Sequence, residues 1–140
     1  MVFKANIVEE RLAFLREILA RLRALQGISK EDFLRDGEKQ WSVERGLQLA
    51  AETLFDIGSH ILAGKFQERV AGYDLILPAL VRHGVVSDDL AYELERLGGF
   101  RNILVHEYLG VDLEKIYDRL HNGLDDFALF IQQVAAWLNQ

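Results

Sequence analysis

The stretch "VERGLQLAAETLFDIGSHILA", residues 43–63, decides the fold class. Val43, Leu47, Ala50, Leu54, Ile57 and Ile61 step by four, three, four, three and four, the spacing that lays side chains along one face of an α-helix. A strand would alternate at every second position. The spacing therefore predicts a central core helix from Glu38 to about Leu62.

Working outward, the same period recurs on both sides. Towards the N-terminus Val8, Leu12, Leu15, Leu19 and Leu22 form one stripe, and Phe14, Ile18 and Leu25 an adjacent one, a face wide enough to be covered from two sides. Gly27 is expected to end that helix. Ser29, in "SKED", can cap a short helix reaching about Arg35, with Asp32 near its positive end. "AGKFQERVAG" (63–72) reads as a connection, and Tyr73 to about His83 as a helix closed by Gly84, with Pro78 implying a kink or a late start. Ser87 or Asp88 can cap a helix beginning near Asp89, and Asp112 can cap the last one. In that last helix Leu113, Ile116, Leu120, Leu124, Phe127, Ile131, Val134 and Leu138 keep register. The expected architecture is all-α: one domain, residues 1–140, built as an antiparallel bundle of four main helices plus one or two short ones.

Composition narrows the function classes. The chain has 140 residues, half of them hydrophobic, enough to enclose a core without cross-links. It has no cysteine, which rules out disulfides and thiolate metal sites. Charges fall every few residues along "MVFKANIVEERLAFLREILARL", so a signal peptide or membrane span is not expected there; a cytoplasmic, membrane-free protein is. A formal net charge of −6 opposes broad attraction to nucleic acid, so any such role must be local.

The local candidate is "FRNILVHEY", residues 100–108, where four polar groups interrupt an apolar run. On a helix advancing about 100° per residue, Arg101 and Tyr108 fall within about 20° of each other and Asn102 and His106 within about 40°. Phe100, Ile103 and Leu104 take the opposite side. An arginine offers a permanently charged fork suited to phosphate, and a histidine exchanges a proton near neutral pH. The pair suits phosphodiester cleavage in RNA, whose 2′-hydroxyl is its own nucleophile. Because Arg101 and His106 stand about 140° apart on a regular helix, one protomer alone would hardly surround a phosphate with both, whereas a twofold dimer could juxtapose two copies. The structural alternative has Arg101 paired with Glu95 or Glu107 and His106 donating to a backbone carbonyl.

"FRNILVHEYLGVD" resembles the R-x-x-x-x-H-x-Y signature of HepT-like toxins in the HEPN superfamily. The likeness extends to "VERGLQLAAETLFDIGSHILA", "DLILPALVRHGVVSDDLAYELERLGGFRN" and "VDLEKIYDRLHNGLDDFALFIQQV", nearly the whole chain from about residue 6. It implies the HEPN fold and a homodimeric, metal-independent endoribonuclease toxin without cofactor. Arg101 and His106 match the catalytic positions, Asn102 the supporting one, and Tyr108 the tyrosine that an MntA-like nucleotidyltransferase antitoxin modifies with AMP from ATP. The alternative from another class is a noncatalytic helical module that tethers or regulates a nucleotidyltransferase.

Other residues carry weaker signals. Glu52, Asp56, Ser59 and His60 share the side of the central helix opposite its core stripe, a solvated face or, for Asp56 and His60, a cleft lining. The four histidines are scattered, and no metal site is expected. Lys65, Arg69, Arg82, His83 and Arg96 can add local positive potential. Trp41 and Trp137 are expected in the core or at a subunit interface.

Overall fold

The computed structural model describes residues 3–95 and 112–140. The regular elements among them are all α-helices: α1 (Ala5–Ala24), α2 (Lys30–Arg35), α3 (Gly37–Phe66), α4 (Tyr73–Arg82), α5 (88–95, as far as it is described), α6 (Leu113–Asn122) and α7 (Leu124–Leu138). None of the described helices is long and apolar enough to cross a membrane.

Helix α3 is the axle. It packs against α1, α2, α4, α6 and α7, and all six residues of its sequence stripe are at most 1% exposed. Burial extends beyond that stripe to Ala51, Phe55, Leu62 and two glycines, Gly58 and Gly64. Side-chain-free positions bring its neighbours close: a Cβ on Gly58 would lie 2.6 Å from Cγ2 of Ile76 on α4, and one on Gly64 2.9 Å from the Phe3 backbone. Thr53, the buried polar residue of this helix, donates its hydroxyl to the Leu49 carbonyl at 2.6 Å, so no polar group is stranded there.

Helix ends follow capping chemistry. Ser29 accepts from the Asp32 N–H at 3.1 Å, and Asp36 from the Lys39 N–H at 3.1 Å. Asp112 accepts from Glu114 and Lys115, and the Ser87 hydroxyl from the Leu90 N–H at 3.2 Å, which settles the choice between Ser87 and Asp88. Gly84, at φ +74°, ends α4 with the Val85 N–H bonded back to the Leu80 carbonyl.

Three expectations are corrected, on the last helix, the end of α3 and the end of α1. The last helix is two helices, because the chain turns at Gly123, whose N–H bonds the Arg119 carbonyl; a Cβ there would sit 2.9 Å from that oxygen. Helix α3 runs on to Phe66, past the expected boundary, and stops where Gln67 adopts the left-handed conformation at φ 52°. Helix α1 ends at Ala24, ahead of Gly27. Helix α4 starts at Tyr73, as the pattern predicts, five residues before Pro78, so the proline brings no late start. Phe14 and Trp41 are 46% and 75% exposed, which takes Trp41 out of the core and leaves the subunit interface as its expected place.

The short α2 is fastened by Phe33, fully buried with its ring 5.5 Å from that of Tyr117 on α6. Phe33→Ala removes that anchor and leaves a cavity, so unfolding in urea is expected to show a loss of about 3–5 kcal/mol. A loss below about 1 kcal/mol, the average for point substitutions, would mean that α2 is not held by this ring.

Candidate functional site

The residues to which the sequence assigns chemistry, Arg101, Asn102, His106 and Tyr108, lie outside the described residues, as does Arg96. What is described is the scaffold on either side of them. Upstream, the start of α5 is tied to α7: the Ser87 N–H donates to Oε1 of Gln133 at 2.8 Å, and the Gln133 amide returns a bond to the Ser87 hydroxyl at 3.2 Å. Downstream, α6 starts at its Asp112 cap and is stitched to the turn after α1. The Tyr117 hydroxyl donates to the Ile28 carbonyl at 3.0 Å, and the Gln26 amide to the Leu120 carbonyl at 2.9 Å. The ring nitrogens of His121 lie 2.7 and 2.9 Å from the Gln26 and Tyr117 carbonyls. Both flanks of the motif are therefore fixed by polar contacts that sequence periodicity does not reveal.

The second-tier residues of α3 do not form one group. Asp56 and Ser59 are exposed and Glu52 is half-buried, bonded to Gln48 at 3.2 Å. His60 is instead covered by the N-terminal segment, with the Phe3 ring 5.9 Å away and its own Nε2 buried without a hydrogen-bond partner among the described residues. Burial lowers the His60 pKa below 6.5; the Arg11 charge adds to this, a hydrogen bond with the Lys4 backbone opposes it, and the Lys4 charge lowers it further. Among the described residues no cluster of three or more histidines and carboxylates is able to hold a metal ion.

Part of the cationic set is already neutralised. Oε1 of Glu68 lies 2.8 Å from Nε2 of His83, its other oxygen pairs with Arg82, and the His83 ring stacks on Phe66 at 4.0 Å. The hydrogen bonds from His83 and then Arg82 hold the Glu68 carboxyl below its ordinary 4.5. These contacts secure the turn after α3 to the end of α4, so Arg82 and His83 serve the scaffold.

The two shifts give separate pH windows. For His60 the folded pKa is lower than the unfolded one, so its contribution is complete above 6.5 and is lost as pH falls below that value, while the unfolded chain takes up the proton first. For Glu68 the contribution is complete above 4.5 and lost as pH falls from there. Urea unfolding at stepped pH should therefore show a decline starting near 6.5 that is smaller in His60→Gln, and a further one near 4.5 that is smaller in Glu68→Gln. An unchanged first decline in His60→Gln would assign it to another histidine.

The ribonuclease HepT-like family model matches residues 15–134, a span that contains the whole "FRNILVHEY" segment. The chain is 29% identical over 133 residues to the tRNA nuclease HepT of Aphanizomenon flos-aquae, covering 94% of this chain and 90% of that protein. It is 27% identical over 135 residues to the mRNA nuclease HepT of Shewanella oneidensis, covering 94% and 98%. In three dimensions it resembles the tri-AMPylated HEPN toxin of Shewanella oneidensis, solved in complex with an MNT antitoxin, with a TM-score of 0.84 at 25% identity over 93% of this chain and 97% of that one. By sequence and by its all-helical HEPN bundle alike, this chain belongs to the ribonuclease HepT-like family.

Proposed function

We propose that the protein is a metal-independent endoribonuclease toxin, acting as a homodimer in which two copies of the motif build one composite site. The observation that carries this reading is the family match running through the motif, together with two relatives named as nucleases that each align with 94% of the chain. In the proposed reaction the ribose 2′-oxygen attacks the adjacent phosphorus, the bond from phosphorus to the 5′-oxygen breaks, and the products are a 2′,3′-cyclic phosphate and a 5′-hydroxyl. His106 moves the proton between these oxygens, Arg101 stabilises the charge that builds on the phosphoryl oxygens, and Asn102 orients the histidine or the phosphate. Asp56, exposed on α3, is the better cleft-lining candidate, since His60 is engaged with the N-terminal segment.

Control is proposed to come from an MntA-like nucleotidyltransferase antitoxin. The Tyr108 oxygen attacks the α-phosphorus of ATP, pyrophosphate leaves, and AMP remains on the ring. The AMPylated toxin of Shewanella oneidensis supports this reading by likeness. The added phosphate would compete with substrate for Arg101, on the same helical arc, and the nucleotide would obstruct entry.

Digestion of RNA by purified protein tests the catalytic assignment. Arg101→Ala and His106→Ala are each expected to lower cleavage by about 10²–10⁴-fold while the helical content is retained, and mass spectrometry should find cyclic phosphate ends. Undiminished cleavage by His106→Ala would overturn it.

The inhibition mechanism has its own test in the binding of a 2′-deoxy substrate analogue. AMP on Tyr108 should abolish binding, and Arg101→Ala should weaken it in the unmodified protein. Normal binding by Arg101→Ala, with AMP blocking both proteins equally, would leave steric obstruction as the sole cause.

A further inference from the structure

Ahead of α1 the chain crosses the end of α3, and Gly64 is what lets it do so, since a Cβ there would lie 2.9 Å from the Phe3 Cα. The half-buried Phe3 ring is seated among three side chains. Its centroid is 5.9 Å from that of His60 and 5.9 Å from that of Trp137 on α7, which it meets edge-on, and Lys65 Nζ stands 5.9 Å from it. Little else holds this segment: Lys4, extended at φ −129° and ψ 106°, is exposed and gives α1 no side-chain cap.

His60 lies beneath that cover with its two ring nitrogens in different states. Nε2 is buried and has no hydrogen-bond partner among the described residues, so the bond between the ring and the Lys4 backbone falls to Nδ1. That bond favours the protonated ring, hence the ring donates it to the Lys4 carbonyl. Neutral His60 therefore carries its one proton on Nδ1 and turns a bare nitrogen towards the apolar cover. A proton arriving at Nε2 would make a buried, charged donor with nothing to receive it. The surrounding charges oppose it as well: Arg11 from α1, Lys4 from the segment itself, and Lys65 over the Phe3 ring. Helix α7 contributes the uncharged Trp137 ring, and the carboxylate of Asp56, one turn back on α3, is exposed, so water screens its attraction.

We infer that residues 3 and 4 are a strap that closes over α3 only while His60 is neutral, and that uptake of a proton by the ring lifts it. Lifting gives Nε2 water as an acceptor and costs the contacts of one half-buried ring, far less than opening the core, where the apolar stripe of α3 is wholly covered. The loss of stability below 6.5 is thereby placed in one segment, and the lifted strap bares the His60 ring beside the exposed Asp56. No motif residue takes part. Because such coupling is reciprocal, removing the strap must make the ring easier to protonate.

NMR on the full chain tests both directions. The nuclear Overhauser contact between the Phe3 and Trp137 rings is expected above pH 6.5, to fade as pH falls through the His60 titration, and to persist at the lower pH in His60→Gln, while the resonances of core residues such as Leu54 and Phe127 stay in place. In Phe3→Ala the His60 ring is expected to titrate at higher pH, moved towards 6.5. A Phe3 to Trp137 contact that survives once His60 has taken its proton would overturn the inference, as would a His60 titration that Phe3→Ala leaves in place. Loss of the contact in His60→Gln would do so too, assigning the lift to His83, which stacks on Phe66 beside the same indole. If the core resonances vanish in the same step, the strap has no motion of its own and the inference fails.

Discussion

Burial of α3 is the constraint on which the rest of the structure depends. A helix packed against five others leaves only a narrow face, with Asp56 and Ser59 on it, to water, so the side chains turned inward must be apolar, small or, as at Thr53, hydrogen-bonded to the backbone. Leucine and isoleucine fill the wide spaces, alanine and glycine the narrow ones, and Thr53 returns its hydroxyl to its own backbone. The glycines decide how near the neighbours come. Enlarging Gly58 would press on the β-branched Ile76, which has little rotameric freedom with which to yield.

Around that axle, polar contacts settle what hydrophobic burial leaves open. Apolar packing is non-directional and fixes which face of a helix turns inward, whereas a hydrogen bond of set length fixes where the helix starts and what it leans on. The pairing of Ser87 with Gln133 and the stitching of Tyr117 and His121 to the turn after α1 both act this way. In sequence they lie on either side of the segment to which chemistry is assigned, Ser87 before it and Tyr117 and His121 after it. A catalytic constellation must be held to a fraction of an ångström, and well-anchored flanks are a precondition for that.

Periodicity made the element types and caps legible. The α3 stripe and the caps at Ser29, Ser87 and Asp112 were each readable because they are local: a spacing or a side chain within three residues of the N–H it serves. The break at Gly123 was not, because its backbone stays near helical values, φ −109° and ψ −17°, and Phe127 and Ile131 face the core as though the helix continued. Nor was the exposure of Phe14 and Trp41, since a pattern shows that a face is apolar without showing what covers it. At the candidate site the residue types and the family likeness were legible from "FRNILVHEY", while the cover that Phe3 lays over His60 depends on a segment distant in sequence.

An identity of 25% accompanies a TM-score of 0.84, and the physics of α3 shows why such divergence is tolerated. A core of helices needs volume and pattern, and many apolar residues supply them interchangeably. A forked cation and a proton-exchanging ring have no such substitutes. The scaffold can therefore drift freely, and under the proposed function the polar groups set into the apolar run at residues 100–108 are the ones that could not. The acidic total of the chain fits the same logic. Glu68 cancels the positive charge of Arg82 and pairs with His83, so attraction to an anion is not spread over the α4 end but left to cations placed elsewhere. With a net charge of −6, general affinity for phosphate is weak, and binding must come from few groups in fixed positions.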